Sequence, residues 1–213
     1  MPVMCAVSTR GPDAACCFMV SYTGAYTIIC RAVAPWPLSG FERPSWDEYF
    51  MLQAELAKLR SNCMVRKVGA VIVRDHRQLA TGYNGTPPGV KNCFEGGCER
   101  CIERMEGKIR SGEGLDRCLC NHAEANAIMH CAILGIGAGG GNATMYTTFS
   151  PCLECTKMAV TIGIRRFVCL DTYPENASKL VKDASASITM MDKEKITYWA
   201  SRMPGGTKEV PVR

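Results

Sequence analysis

His122-Ala123-Glu124 and, 29 positions on from the histidine, Pro151-Cys152-Leu153-Glu154-Cys155 constrain this chain more than any other part of its sequence. One imidazole and two thiols are what a tetrahedral zinc takes from a protein when its fourth position is left to water. The spacing of Cys152 and Cys155 lets both sulfurs of one tight turn reach the same ion. Pro151 suits the entry to a helix, where a missing N–H costs little, and Leu153 to Ile162 reads as that helix. Its N-terminal dipole favours thiolate over thiol at both cysteines. A second helix is expected from about His122 to Leu134, with its open N–H donors facing the same metal. Glu124, two residues past the histidine, need not point where the ligand points, and a carboxylate there suits proton transfer rather than ligation. Either half of the pattern alone is weak, since a bare Cys-x-x-Cys is more often a structural zinc site or nothing. In this order, each beside a helix start, the two are specific. They also require two helices to begin at one point in space.

The remaining segments say what could bring them there. Ser45-Trp46-Asp47-Glu48 is a capping box, opening a helix to about Arg60. Trp46, Phe50 and Ala54, with Tyr49, Leu52, Leu56 and Leu59, make a broad apolar stripe at helical spacing and read as core. Val68 to Val73 reads as a buried strand, Asp75-His76-Arg77 as a turn with a solvated His76, and Gln78 to Tyr83 as the returning strand. Asn84 to Asn121 is rich in Gly, Pro and Cys, and a loop of that length is usually functional or metal-braced. Strands follow over Ala143–Phe149, Arg166–Leu170 and about Ile188–Met191, with a helix over Asn176–Ala184. Gly135–Gly141 reads as a connector. The order is α-β-β-α-β-α-β-α-β. An antiparallel hairpin followed by alternating strands and helices predicts an α/β fold, a three-layer α/β/α sandwich on a mixed five-stranded sheet. The metal would lie between two helix N-termini at strand ends.

Length and composition bound the rest. The chain has 213 residues, enough for one domain over 43–192, an N-terminal extension over 1–42 and a tail over 193–213. The net charge of +5 is modest, with Lys and Arg spread along the chain, so neither a nucleic-acid groove nor a membrane partner is indicated. Fourteen cysteines would suit a secreted disulfide framework. A His/Cys/Cys zinc needs reduced thiols, so a cytoplasmic location is the expectation. Residues 1–41 hold one acidic residue, Asp13, and no lysine. Ala14 to Cys30 is uncharged and Ala32-Val33-Ala34 resembles a signal-peptidase site. Ser21, Thr23 and Gly24 interrupt the run, it is too short to span a bilayer, and an organelle transit peptide fits only weakly. A poorly ordered extension is the simplest reading, and Cys5, Cys16, Cys17 and Cys30 within it get no catalytic role.

The paired metal motif is similar to that of zinc-dependent base deaminases, and further residues resemble one family among them, the deoxycytidylate (dCMP) deaminases. They are Arg43 to Asp47, Val68 to Ile72, Gly82-Tyr83-Asn84-Gly85-Thr86-Pro87-Pro88-Gly89, Asn92-Cys93, and Cys118 to Ile128. Met145-Tyr146, Ser150 to Cys155, Gly163-Ile164 and Thr172-Tyr173 complete the set. The Gly82–Gly89 run discriminates the family from deaminases of tRNA adenosine, cytidine and riboflavin precursors. The Cys-rich stretch Glu95 to Cys101 brings the fungal form nearest. The resemblance implies a cytidine deaminase-like fold and conversion of dCMP to dUMP and ammonia, supplying thymidylate synthesis. Zinc, held by His122, Cys152 and Cys155, would lower the pKa of water from about 15.7 to about 7 for attack on C4 of cytosine. Glu124 would carry protons to N3 and the leaving ammonia. Asn84, Ala123 and Tyr173 would bind substrate, and Gly85 to Gly89 an allosteric nucleotide, dCTP as activator or dTTP as inhibitor, with magnesium. A homo-oligomer, often a hexamer, is implied too. Asn84 also reads as a turn residue tolerating positive φ, and Tyr173 equally as a core tyrosine. Deamination of dCTP or CMP stays open, as does a zinc-braced module that binds nucleotide without turnover.

Some members of the family carry a second, structural zinc, and its ligand positions match Cys63, Cys93 and Cys120. The fourth ligand falls in the variable insert, where Cys118, Cys101 and Cys98 are candidates. Alternatively Cys98, Cys101, Cys118 and Cys120 form a knuckle of their own. A long loop with few apolar residues needs such a clip. Cys131 and Cys169 read as core packing.

Overall fold

The computed structural model describes residues 15–22, 25–32, 42–137, 142–172 and 177–203, the first two segments as backbone. It divides into two units, residues 1–43 and 44–213. Within the first, β1 (Ala15–Tyr22) and β2 (Ala25–Ala32) pair antiparallel from Ala15↔Ala32 to Tyr22↔Ala25. Where the composition of residues 1–42 suggests a poorly ordered extension, a hairpin forms. Phe18, Val20, Tyr26, Ile28 and Ile29 supply the β-branched and aromatic types that favour strands.

The second unit is built on a five-stranded sheet in the order β4-β3-β5-β6-β7. The strands are β3 (Gly69–Arg74), β4 (Arg77–Tyr83), β5 (Ala143–Thr147), β6 (Arg166–Cys169) and β7 (Ser187–Met190). β3 runs antiparallel to β4 and to β5, and β5, β6 and β7 are parallel. This is the expected mixed sheet. The β3–β4 turn is only Asp75-His76, both at positive φ, the geometry that matches strand twist in a two-residue hairpin. His76 is stacked on Trp46, centroids 4.4 Å apart, and not merely solvated.

Strand parity divides the core. Ala70, Ile72, Met145, Phe167 and Cys169 face one side, with Ala123, Ala127 and Cys131 of α3 (Ala123–Ile133) and Ala159 of α4 (Leu153–Thr161). Val71, Val73, Tyr146 and Val168 face the other, with Phe50, Met51 and Ala54 of α1 (Trp46–Lys58). The capping box of α1 forms as expected: Glu48 N donates to Ser45 Oγ and Ser45 N to Glu48 Oε2. Its apolar stripe is narrower than expected. Phe50, Met51 and Ala54 are buried against the sheet, but Leu56, on the side turned away from it, and Leu59, the C-cap, are 63% and 70% exposed.

Two helices lie where none was expected. α2 (Glu99–Met105) interrupts the long connection after β4. α6 (Lys193–Arg202), in the segment read as a tail, packs against α1 and buries Ile196 in the same core. α5 (Ser178–Asp183) packs against α4 and β7 on the opposite face. No helix among the described residues is long and apolar enough to cross a membrane. The connection that leaves β4 returns beside its own start, where Gly85 N donates to Asn121 O (3.1 Å) and Asn121 N to Gly85 O (2.8 Å).

Candidate active site

The two motifs meet. His122 is the N-cap of α3 and Cys152 the N-cap of α4, each with extended backbone. N-caps are normally Ser, Thr, Asp or Asn, whose side chain satisfies an open helical N–H. Neither His122 nor Cys152 makes such a bond, so both helices leave their capping side chain free to face the other. His122 Nδ1 lies 3.4 Å from the sulfurs of both Cys152 and Cys155. Zinc bonded tetrahedrally to sulfur at about 2.3 Å and nitrogen at about 2.05 Å spaces those atoms by about 3.6 Å. The three donors therefore fit a zinc ion in number, chemistry and separation. His122 is exposed and Cys155 buried, which leaves the fourth direction on the open side.

Electrostatics agree with the donor set. A hydrogen bond from Cys155 pulls the Cys152 thiol down to about 4, against the opposing effect of burial. The same bond and burial push Cys155 up, while the Ala125 N–H, from the first turn of α3, counters them at its sulfur. Contact with Cys152 raises His122 to about 9. Glu124 sits one residue into α3 and is 4% exposed. Burial raises its pKa most, and its own N–H and the Cys155 thiol act against that. The carboxyl is thus enclosed beside the donor trio.

β4 and α3 seat each other closely. A Cβ at Gly82 would run into the Ala123 carbonyl oxygen and the Ala127 nitrogen. Asn126 Nδ2 donates to Tyr83 O (2.7 Å), and His130 Nδ1 donates to Thr81 O (2.7 Å). These two side chains, one helical turn apart, use carbonyls of an edge strand, and sequence reading gave them no role. Periodicity cannot reveal a backbone acceptor on another element.

Asn84 is buried, and its amide already holds the 61–68 segment. Oδ1 accepts from Ser61 Oγ and Val68 N, and Nδ2 donates to Arg66 O, each at 2.7 Å. One N–H remains for another partner. Asn84 is not among the positive-φ residues, so the turn explanation fails for it. Ala123 is buried against the sheet, and Tyr173 lies outside the described residues, as does the Gly139–Gly141 run. Gly85 packs on the Asn62 side chain and leaves no room there, whereas Gly89, at φ 84°, is open. Arg66 lies over the ring of Phe149, three residues before Cys152, at 4.4 Å, a cation that its sequence position does not single out.

The other predicted ligands also assemble. Cys63, Cys93, Cys101 and Cys120 form one group with all sulfurs within 4.8 Å, and Cys98, Cys101, Cys118 and Cys120 form another. Cys101, buried on α2, joins Cys63, Cys93 and Cys120 in the first group, and Cys118 falls in the second. Cys131 and Cys169 are core residues as expected.

A mixed α/β sheet with a His/Cys/Cys site at two helix N-termini and an enclosed glutamate defines a zinc-site protein of the nucleobase-deaminase class. The chain belongs to the cytidine and deoxycytidylate deaminase family, whose zinc-binding region matches residues 44–171. It is 47% identical over 148 residues to deoxycytidylate deaminase of Saccharomyces cerevisiae, covering 68% of this chain and 45% of that protein. It is 49% identical over 131 residues to deoxycytidylate deaminase of Schizosaccharomyces pombe, covering 62% and 38%. The chain thus spans less than half the length of either yeast relative. The crystal structure of dCMP deaminase from cyanophage S-TIM5 in complex with dCMP and dUMP superposes with a TM-score of 0.55. The two are 28% identical, over 71% of this chain and 100% of that one.

Proposed function

We propose that this chain catalyses the hydrolytic deamination of dCMP to dUMP and ammonia, feeding thymidylate synthesis. The observation that carries the reading is the convergence of His122, Cys152 and Cys155, with His122 Nδ1 3.4 Å from each sulfur and all three donor atoms within 4.8 Å, beside buried Glu124. Zinc bound there would supply a water acidic enough to be deprotonated near neutral pH. The rest belongs to the chain. Glu124, enclosed on the first turn of α3, is placed to move protons from the attacking water to N3 and to the departing amine. Its burial keeps bulk water from competing for them. Asn84 offers its spare N–H to the sugar, and Arg66 brings positive charge suited to a monophosphate. The cyanophage relative, crystallised with dCMP and dUMP, supports the substrate choice. Ammonia release from dCMP, dCTP, CMP and deoxycytidine tests it: turnover of dCMP is expected, and turnover only of the others overturns the reading.

The same resemblance supports three further assignments. A structural zinc is held by Cys63, Cys93, Cys101 and Cys120, supported by their convergence. Activation by dCTP and inhibition by dTTP, each with magnesium, are assigned from family likeness, and adding each nucleotide to the assay tests them. The chain forms a homo-oligomer, in keeping with exposed Met129, Ile133 and Leu134 on or beside α3 and Leu153 and Met158 on α4. A reducing, cytoplasmic setting is assigned as well, in keeping with free thiols at every cysteine from Cys63 to Cys169.

A further inference from the structure

The two four-cysteine groups are not separate. They have Cys101 and Cys120 in common. Two independent tetrathiolate sites would need eight sulfurs, and six converge here. The two that are shared lie between the others. Cys101 has Cys63, Cys93 and Cys98 within hydrogen-bonding reach, and Cys120 has Cys63, Cys93 and Cys118. Cys63 and Cys93 occupy one side, and Cys98 and Cys118 the other, 3.9 Å apart. Cys63 and Cys101 are 4.0 Å apart. Sulfurs sharing a tetrahedral zinc at about 2.3 Å are about 3.8 Å apart, whereas a disulfide needs about 2.05 Å.

We propose that Cys63, Cys93, Cys98, Cys101, Cys118 and Cys120 hold two zinc ions in one cluster, bridged by the thiolates of Cys101 and Cys120. This rests on the structural-zinc reading above and extends it from one ion to two. Charge permits it, because two divalent ions against six thiolates leave the same residual charge as one ion against four. Backbone N–H groups offset that residue, with Val65 and Arg66 donating to Cys63, Met64 to Cys93 and Cys120 to Cys118. Packing calls for it as well. Here the buried cluster consists of Cys63, Cys93, Cys98, Cys101 and Cys120, with only Met64, Val65 and Cys118 partly buried against it. A lobe with no fully buried aliphatic or aromatic side chain among its described residues has metal ligation as its main source of folding energy. One ion in the first group would leave Cys98 and Cys118 facing each other unligated.

Metal analysis of the full chain, purified under reducing conditions, tests this together with cadmium-113 NMR of the cadmium-substituted protein. One ion at each group is expected, three per chain with the active site, and two tetrathiolate resonances split by coupling through the shared sulfurs. Cys120→Ser should lose both cluster ions. The NMR readout on unsubstituted protein stands even if that variant does not fold. Three ions with unsplit resonances overturn the bridge. Two ions, with a single tetrathiolate resonance, overturn the second cluster ion and leave the structural zinc standing. One ion overturns the structural zinc as well, leaving the deaminase reading untouched.

Discussion

Glu124 is the residue through which the proposed reaction passes its protons, and it is not a metal ligand. Glu124→Gln should therefore keep the active-site zinc while lowering ammonia release from dCMP by about 10²–10⁴-fold, the usual worth of a placed acid–base group. Metal content and turnover measured on one preparation check both halves, and parent-like turnover would remove the assignment. Cys152→Ser should instead lose the ion and activity together, since Cys152 is one of only three donors that converge there. His122, Glu124, Cys152 and Cys155 were legible because their spacing is local and each pair lies on one turn. Asn126, His130 and Ser61 were not. Each acts on an atom of a distant segment, Tyr83 O, Thr81 O and Asn84 Oδ1, which no spacing along the chain encodes. Asn84, which the family resemblance offers to the substrate, holds the 61–68 segment through its amide, a role that its position in the sequence does not show.

The sheet gives each helical layer one glycine contact. Gly82 lets α3 approach β4, and Gly69 lets α1 approach β3, where a Cβ would strike Ala54 O and Lys58 N. Gly82→Ala and Gly69→Ala should each cost about 1–3 kcal/mol or more in stability, read by denaturant unfolding. Their effects on turnover should differ, because only α3 carries His122 and Glu124. At equal folded fraction Gly82→Ala should lose kcat, and Gly69→Ala should keep it. A pH effect belongs to α1. Asp47 binds Arg166 of β6 through both oxygens (2.9 and 2.6 Å) and accepts from Tyr146 of β5. Arg166 holds the Asp47 pKa below its ordinary 3.8, against the opposing effect of burial. This stabilisation is present above pH 3.8 and is lost as pH falls through the lowered value. Asp47→Asn should therefore cost up to about 1 kcal/mol at pH 7, given the solvent-screened pair, with the gap closing in acid. Urea midpoints at both pH values measure it. The α1 capping box was legible because its partners are three residues apart. The exposure of Leu56 and Leu59 was not, because it depends on which side of α1 the sheet covers. α2 is hidden because it lies within Asn84–Asn121, whose Gly, Pro and Cys content reads as a loop, and α6 because only Ile196 anchors its polar sequence.

Residues 44–203 contain the whole donor set, the cysteine cluster and both layers of core. A chain beginning at Glu42 should therefore keep its zinc content and its specific activity, and loss of either would assign the hairpin of β1 and β2 a part in the fold or the site. The sandwich was legible from the alternation of strand and helix after one hairpin, since that order leaves few ways to cover both sheet faces. The grouping of the insert's cysteines was not, because six sulfurs admit many pairings and only α2 selects among them. The Gly85–Asn121 bridge governs how this chain tolerates change. It fastens residue 85 to residue 121, so residues 86–120 form a closed excursion with a common doorway. Beyond Cys101 and before Cys118 the excursion passes through Gly107 and Gly112, both at positive φ with open space around them. Added length there costs only loop-closure entropy, about 0.6 kcal/mol per doubling. Neither His122 nor Asn84 would feel it. The chain thus carries a permissive port, where a tag, an epitope or a second domain can be spliced in while the chemistry on the far side of the doorway runs on undisturbed.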